Sequence, residues 1–131
     1  MRNLDTNILV RYLTADDRGQ LAAVERLIED CRLDREPLFL STLVLCELLW
    51  VLSSSYGQTK TMIIQVLEQI LEMDQFRVED DALVRRSLEA YTRGKGNFAD
   101  YLIGEIGRRA GCRDTVTLDR ALKGAEGFTV I

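Results

Sequence analysis

Four acids in this chain fall where a side chain can do chemistry: Asp5, Glu47, Asp100 and Asp119. Asp5 and Asp119 each close a short apolar run, "MRNL" and "TVTL". Asp100 follows a Gly-flanked loop and opens the helical stretch "FADYLIGEIGRRAG". Glu47 stands inside "STLVLCELLWVL", where its neighbours one turn away, Leu43, Val44, Trp50 and Val51, offer no cation. A carboxylate buried in such a helix needs a tertiary arginine, a hydrogen-bond network or a metal ion. Carboxylates packed together repel and raise one another's pKa values. A divalent cation between them relieves that repulsion, and an all-oxygen donor set suits Mg²⁺ or Mn²⁺.

Each acid also has a plainer explanation. Asp5 and Asp119 can cap the helices that follow them, a role aspartate fills well. Asp100 lies three residues after Asn97, so the pair can share the first turn of a helix and favour its dipole. Glu47 can serve a structural ion pair.

Composition narrows the chemistry. The chain has no histidine, which removes Ser-His-Asp triads, Cys-His dyads and most zinc sites. No G-x-x-x-x-G-K-[ST] run exists, so phosphate-loop chemistry is absent. Cys31, Cys46 and Cys112 form no CxxC pair and read as reduced thiols of a cytoplasmic protein. The longest apolar run, residues 43–52, is too short to span a bilayer and carries Glu47, and no targeting segment is expected. At 131 residues, 47% hydrophobic and 29% charged, the chain reads as one soluble domain over residues 1–131.

The net charge of −4 argues against nucleic-acid binding by the whole surface. Positive charge is nevertheless concentrated late, in Arg85, Arg86, Arg93, Lys95, Arg108, Arg109, Arg113, Arg120 and Lys123. A local basic surface can hold phosphates on an acidic protein, although charged helix faces are commonly just solvated.

The elements that must position these residues follow from periodicity. Strands are expected at "MRNL", "EPLFLS", "FRVE", "DTVTL" and "FTVI". Helices are expected at "NILVRYLTA", "DRGQLAAVERLIEDCRL", residues 43–54, "KTMIIQVLEQILEM", "DDALVRRSLEAYTRG" and "FADYLIGEIGRRAG", with a short one at "DRALKG". Alternation of this kind predicts an α/β fold with about five parallel strands in one sheet, helices on both faces and a ligand cleft at the strands' carboxyl ends.

Taken together, "LDTNILVRYL", the glutamate within "STLVLCELLWVL", "GNFADYLIG" and "TVTLDRAL" resemble the PIN-domain family, and within it the VapC ribonuclease toxins of toxin–antitoxin modules. The resemblance covers essentially the whole chain. It implies a three-layer α/β/α sandwich and a Mg²⁺-dependent endoribonuclease. On that basis Asp5, Glu47, Asp100 and Asp119 match the family's acidic quartet, with Asp5 and Asp100 as main metal ligands. Thr6 and Asn7 match the polar partners of the first acid, and Thr117 the hydroxyl before the last. The resemblance further implies an RNA substrate, a cognate antitoxin protein and a homodimer, with no membrane. Arg85, Arg86, Arg93, Lys95, Arg120 and Lys123 are then candidates to hold the RNA backbone.

Two other readings stay open. A Mg²⁺-dependent phosphatase or phosphotransfer domain would need a D-x-D pair, and "LDTN" places Asn7 at the second acid. A non-catalytic binding module of the same fold would use the acids only as caps and ion pairs.

Overall fold

The computed structural model describes every residue from Met1 to Ile131. Its backbone divides into two compact units, Met1–Asp80 and Asp81–Ile131, each with its own helices and parallel strands.

The first unit is built on strands β1 (Arg2–Asn3), β2 (Leu38–Leu40) and β3 (Phe76–Val78). They form a parallel sheet in the order β1-β2-β3, with Arg2 opposite Leu38 and Leu38 opposite Phe76. The central strand is the most buried: Leu38 and Leu40 are fully enclosed. Each such leucine contributes on the order of 1.5–3 kcal/mol from apolar burial.

Parallel neighbours need a crossover, and here each crossover is a helix pair. Helices α1 (Thr6–Thr14) and α2 (Arg18–Leu33) join β1 to β2; α3 (Thr42–Ser54) and α4 (Lys60–Glu72) join β2 to β3. Local chemistry sets the starts. Asp17 Oδ1 accepts the Gln20 N–H at 3.0 Å, Ser41 Oγ accepts the Val44 N–H at 3.1 Å, and Thr59 Oγ1 accepts the Met62 N–H at 3.3 Å. Side-chain caps of this kind are worth about 1 kcal/mol each. Helical spacing then buries one face: Val24, Ile28 and Cys31 in α2, Ile63, Leu67 and Ile70 in α4.

The second unit packs α5 (Asp81–Arg93) against α6 (Phe98–Arg109). Beyond them lie β4 (Thr115–Thr117), a 3-10 turn over Arg120–Leu122, and β5 (Phe128–Val130). β4 and β5 pair in parallel, Thr115 opposite Phe128. An aromatic cluster holds this unit together: Tyr91 meets Phe98 edge-on at 6.2 Å between centroids, and Tyr101 meets Phe128 edge-on at 6.1 Å. Such pairs favour this geometry because the ring edge is positive and the face negative.

All five expected strands exist, but they do not share one ladder. The hydrogen-bonded sheets are three-stranded and two-stranded, where a sheet of about five strands was expected. The strands are only two or three residues long, so each offers few ladder groups. The three cysteines are free: Cys31 buried, Cys46 half-buried and Cys112 exposed. Burial pushes the Cys46 thiol pKa up. No helix is long and apolar enough to cross a membrane.

Candidate functional site

In the first unit, the Arg2 and Leu4 N–H groups donate to the Pro37 and Phe39 carbonyls, which anchors the strand up to Leu4. The chain then turns directly into α1, with Asp5 at its N-cap. Asp5 is exposed, and both of its oxygens meet neutral donors. Oδ1 accepts the Thr6 N–H at 2.8 Å; Oδ2 faces Asn7 Nδ2 at 3.4 Å, a weak contact. A carboxylate has about four acceptor positions, so lone pairs on both oxygens remain available.

Thr6 departs from the expected role. Its backbone, not its hydroxyl, touches the acid. The side chain is 2% exposed and Oγ1 is buried with no hydrogen-bond partner. An orphaned buried hydroxyl costs about 1–3 kcal/mol.

Glu47 is exposed rather than buried, which corrects the reading from its apolar neighbours. α3 buries Leu45, Leu48, Leu49 and Leu52, and turns Leu43, Glu47 and Trp50 outward on one stripe. The residues at i−4 and i+3 are apolar, yet they lie on the exposed side with the acid. No hydrogen bond or ion pair engages its carboxylate.

In the second unit, Asp100 sits in the first turn of α6, and its Oδ2 accepts the Asn97 N–H at 2.8 Å. This is the reciprocal arm of a capping box. Asp119 starts the 3-10 turn: its Oδ1 accepts the Ala121 N–H at 2.9 Å, and its own N–H donates to Thr117 Oγ1 at 3.0 Å. Thr117 therefore orients the Asp119 backbone, not its carboxylate. The loop before α6 and the turn after β4 adjoin, because a Cβ built on Gly96 would stand 2.6 Å from Leu122 Cδ2 and 3.0 Å from Asp100 Oδ2.

The ion pairs fall elsewhere. Arg11 holds Asp16 and Arg32 holds Glu29 in the first unit; Arg85 holds Asp81, Arg86 and Arg108 share Glu105, and Arg93 holds Glu89 in the second. Three of the expected phosphate-holding cations, Arg85, Arg86 and Arg93, are thus engaged by acids. Lys95, Arg120 and Lys123 are exposed and unpaired, and they flank Asp100 and Asp119 in the chain. Sequence reasoning passed over Tyr101, which is 5% exposed and whose hydroxyl accepts the buried Gly96 N–H at 2.9 Å. The glycines at 94 and 96 were its signal.

The donor chemistry fits a hard divalent cation: four carboxylates and no nitrogen or sulfur, each with unshared oxygen acceptors and none neutralised by a cation. No group of three or more acidic or thiol side chains is drawn close enough to hold a metal ion. A separate apolar cleft of about 330 Å³ lies in the first unit, lined by Leu9, Tyr12 and Leu13 of α1 with Ile70, Met73 and Phe76.

The PIN domain profile matches residues 3–127 of the chain. The VapC ribonuclease of Aquifex aeolicus (strain VF5) is 28% identical over 123 residues, covering 94% of this chain and 90% of that protein.

Proposed function

The chain belongs to the PIN-domain family, and from that premise we propose that it is the endoribonuclease toxin of a toxin–antitoxin pair, acting on RNA in the cytoplasm with Mg²⁺ or Mn²⁺. The similarity to a VapC ribonuclease over nearly the whole chain supports the activity and the antitoxin partner. One observation supports the metal: Asp5, Glu47, Asp100 and Asp119 have no cationic partner, while Arg11, Arg32, Arg85, Arg86, Arg93 and Arg108 pair with other acids.

In this reading Asp5 and Asp100 are the main ligands, and Glu47 and Asp119 complete the set directly or through water. A divalent ion held there would supply a more acidic water and charge neutralisation at the scissile phosphate. The protein's residues do the positioning. Asn7 steadies Asp5 from the side opposite the Thr6 N–H, and Thr117 fixes the backbone that presents Asp119. Lys95, Arg120 and Lys123 attract the phosphate backbone. The apolar cleft beside α1 offers a surface for the antitoxin, and a second copy of the chain is the expected oligomeric partner.

Hydrolysis by water leaves a 5′-phosphate and a 3′-hydroxyl. The test is therefore to incubate purified protein with total cellular RNA and Mg²⁺ and to map the ends. Discrete fragments bearing 5′-phosphates support the reading; 2′,3′-cyclic ends would sink it, because they need the RNA's own hydroxyl as nucleophile.

A second reading is favoured by the caps themselves. Asp5, Asp100 and Asp119 each accept a backbone N–H at a helix start, as acids in a non-catalytic module would. Asparagine caps about as well as aspartate, so aspartate-to-asparagine variants separate the two readings.

A further inference from the structure

We propose that Tyr101 is a positioning residue for the Asp100 carboxylate, acting through the loop Gly94–Asn97; its consequence for catalysis rests on Asp100 being a metal ligand. The chain of contacts is short. The Tyr101 hydroxyl accepts the Gly96 N–H at 2.9 Å, in a buried environment. The next amide, that of Asn97, donates to Asp100 Oδ2 at 2.8 Å. One tyrosine thus fixes the peptide beside the one that grips the acid, and the grip falls on Oδ2 alone.

Two absent side chains make the approach possible. A Cβ on Gly94 would lie 1.9 Å from the Tyr101 hydroxyl oxygen and 2.7 Å from Cζ, and one on Gly96 would lie 3.2 Å from that oxygen. The ring itself is held from outside the loop, by Phe128 edge-on and by Tyr91 at 6.5 Å between centroids. The hydroxyl therefore arrives at Gly96 from a fixed ring, and the loop adapts to it. Sequence neighbourhood puts Tyr101 next to Asp100, but helix geometry points consecutive side chains about 100° apart. The tyrosine consequently acts on the loop rather than on the ligand side of the acid.

Tyr101→Phe in the full chain keeps the ring and deletes the hydroxyl, which leaves the Gly96 N–H buried without a partner. In metal-free protein, amide exchange at Gly96 and Asn97 is expected to accelerate about 5–10-fold, as loss of one buried hydrogen bond implies. Mn²⁺ affinity measured by calorimetry should fall about 10-fold, in the range found when groups that orient metal ligands are removed. RNA cleavage should slow at low Mg²⁺ and recover at high Mg²⁺, with KM for RNA unchanged. A merely structural tyrosine would show no recovery with metal.

Gly94→Ala reaches the same hydroxyl from the other side and should weaken Mn²⁺ binding too. The double variant should bind no worse than the weaker single one, since both act on one contact. If Asp100→Asn loses Mn²⁺ while Tyr101→Phe binds as wild type with unchanged Asn97 exchange, the proposal is overturned and the metal reading stands. If Asp100→Asn binds Mn²⁺ as wild type does, the metal reading itself fails, and the positioning role for catalysis fails with it.

Discussion

Asp5 and Asn7 face each other across the first turn of α1, with Asn7 Nδ2 3.4 Å from the carboxylate oxygen that the backbone does not use. The acid is thereby held between two neutral donors while its charge stays unmatched. Asn7→Ala removes the weaker hold only. Cleavage is expected to drop about 10-fold, as for other groups that orient a metal ligand, with Tm unchanged within a degree or so. A drop as large as that of Asp5→Asn would show that Asn7 does more than steady its neighbour; calorimetric melting alongside an RNA cleavage assay reads both.

Thr6 gives a prediction of opposite sign. Its hydroxyl is buried without a partner, so Thr6→Val replaces an orphaned polar group with a methyl of similar size. Stability should rise by about 1 kcal/mol, which for a chain of this size raises Tm by about 3–5 °C. A destabilised variant, or one with weakened Mn²⁺ binding, would mean that the hydroxyl has a partner in the working protein.

The Asp16 carboxyl is held below the usual aspartate range, first by the Tyr56 hydroxyl at 2.6 Å; desolvation opposes this and is next in size, and Thr14 and Arg11 add smaller lowering effects. A depressed folded pKa contributes stability that is present above the unfolded value of about 3.9 and lost as pH falls through the folded value. Tyr56→Phe should therefore lower Tm at neutral pH and lose that effect in acid below the ordinary aspartate range. Melting curves at several pH values check it, and a deficit that persists in strong acid would assign the loss to packing.

How much of this was readable in the sequence depends on distance along the chain. Ser41 and Thr59 announce α3 and α4 because a cap acts three residues away, and the short continuous apolar run Leu38-Phe39-Leu40 marks the buried central strand. Asp5, Asp100 and Asp119 stand at element boundaries that periodicity alone could find. Glu47 misled because an almost wholly apolar helix conceals which stripe is turned outward; only packing selects Leu45, Leu48 and Leu52 for burial and leaves Trp50 exposed. Arg85 and Arg93 stand four residues after their acids, so their pairing was legible in spacing. Arg86 and Glu105 lie on different helices, and the bond between Tyr101 and Gly96 requires a fixed ring, so neither could be read from the chain. The split of the strands into two ladders is likewise a matter of tertiary pairing.

For RNA binding, the unpaired cations should behave differently from the paired ones. Replacing Lys95, Arg120 or Lys123 with alanine should weaken RNA binding and flatten the dependence of log K on log salt by about 0.7 for each phosphate no longer neutralised. Arg93→Ala, which removes a cation already held by Glu89, should leave that slope unchanged. Equal slopes across all four variants would remove the assignment of these cations to the phosphates.

That Asp5, Glu47, Asp100 and Asp119 hold a divalent cation for RNA hydrolysis is tested most directly by one cleavage assay. Purified wild-type protein, freed of any copurified partner, is compared in Mg²⁺, in excess EDTA and as Asp5→Asn, each with its melting temperature. Cleavage is predicted only for wild type in Mg²⁺, with a loss of at least about 100-fold in the variant, on the scale of losing a group that stabilises transition-state charge. Melting temperatures should be nearly equal, because asparagine still caps α1. Cleavage that persists in EDTA, or in Asp5→Asn, would contradict the metal-held mechanism.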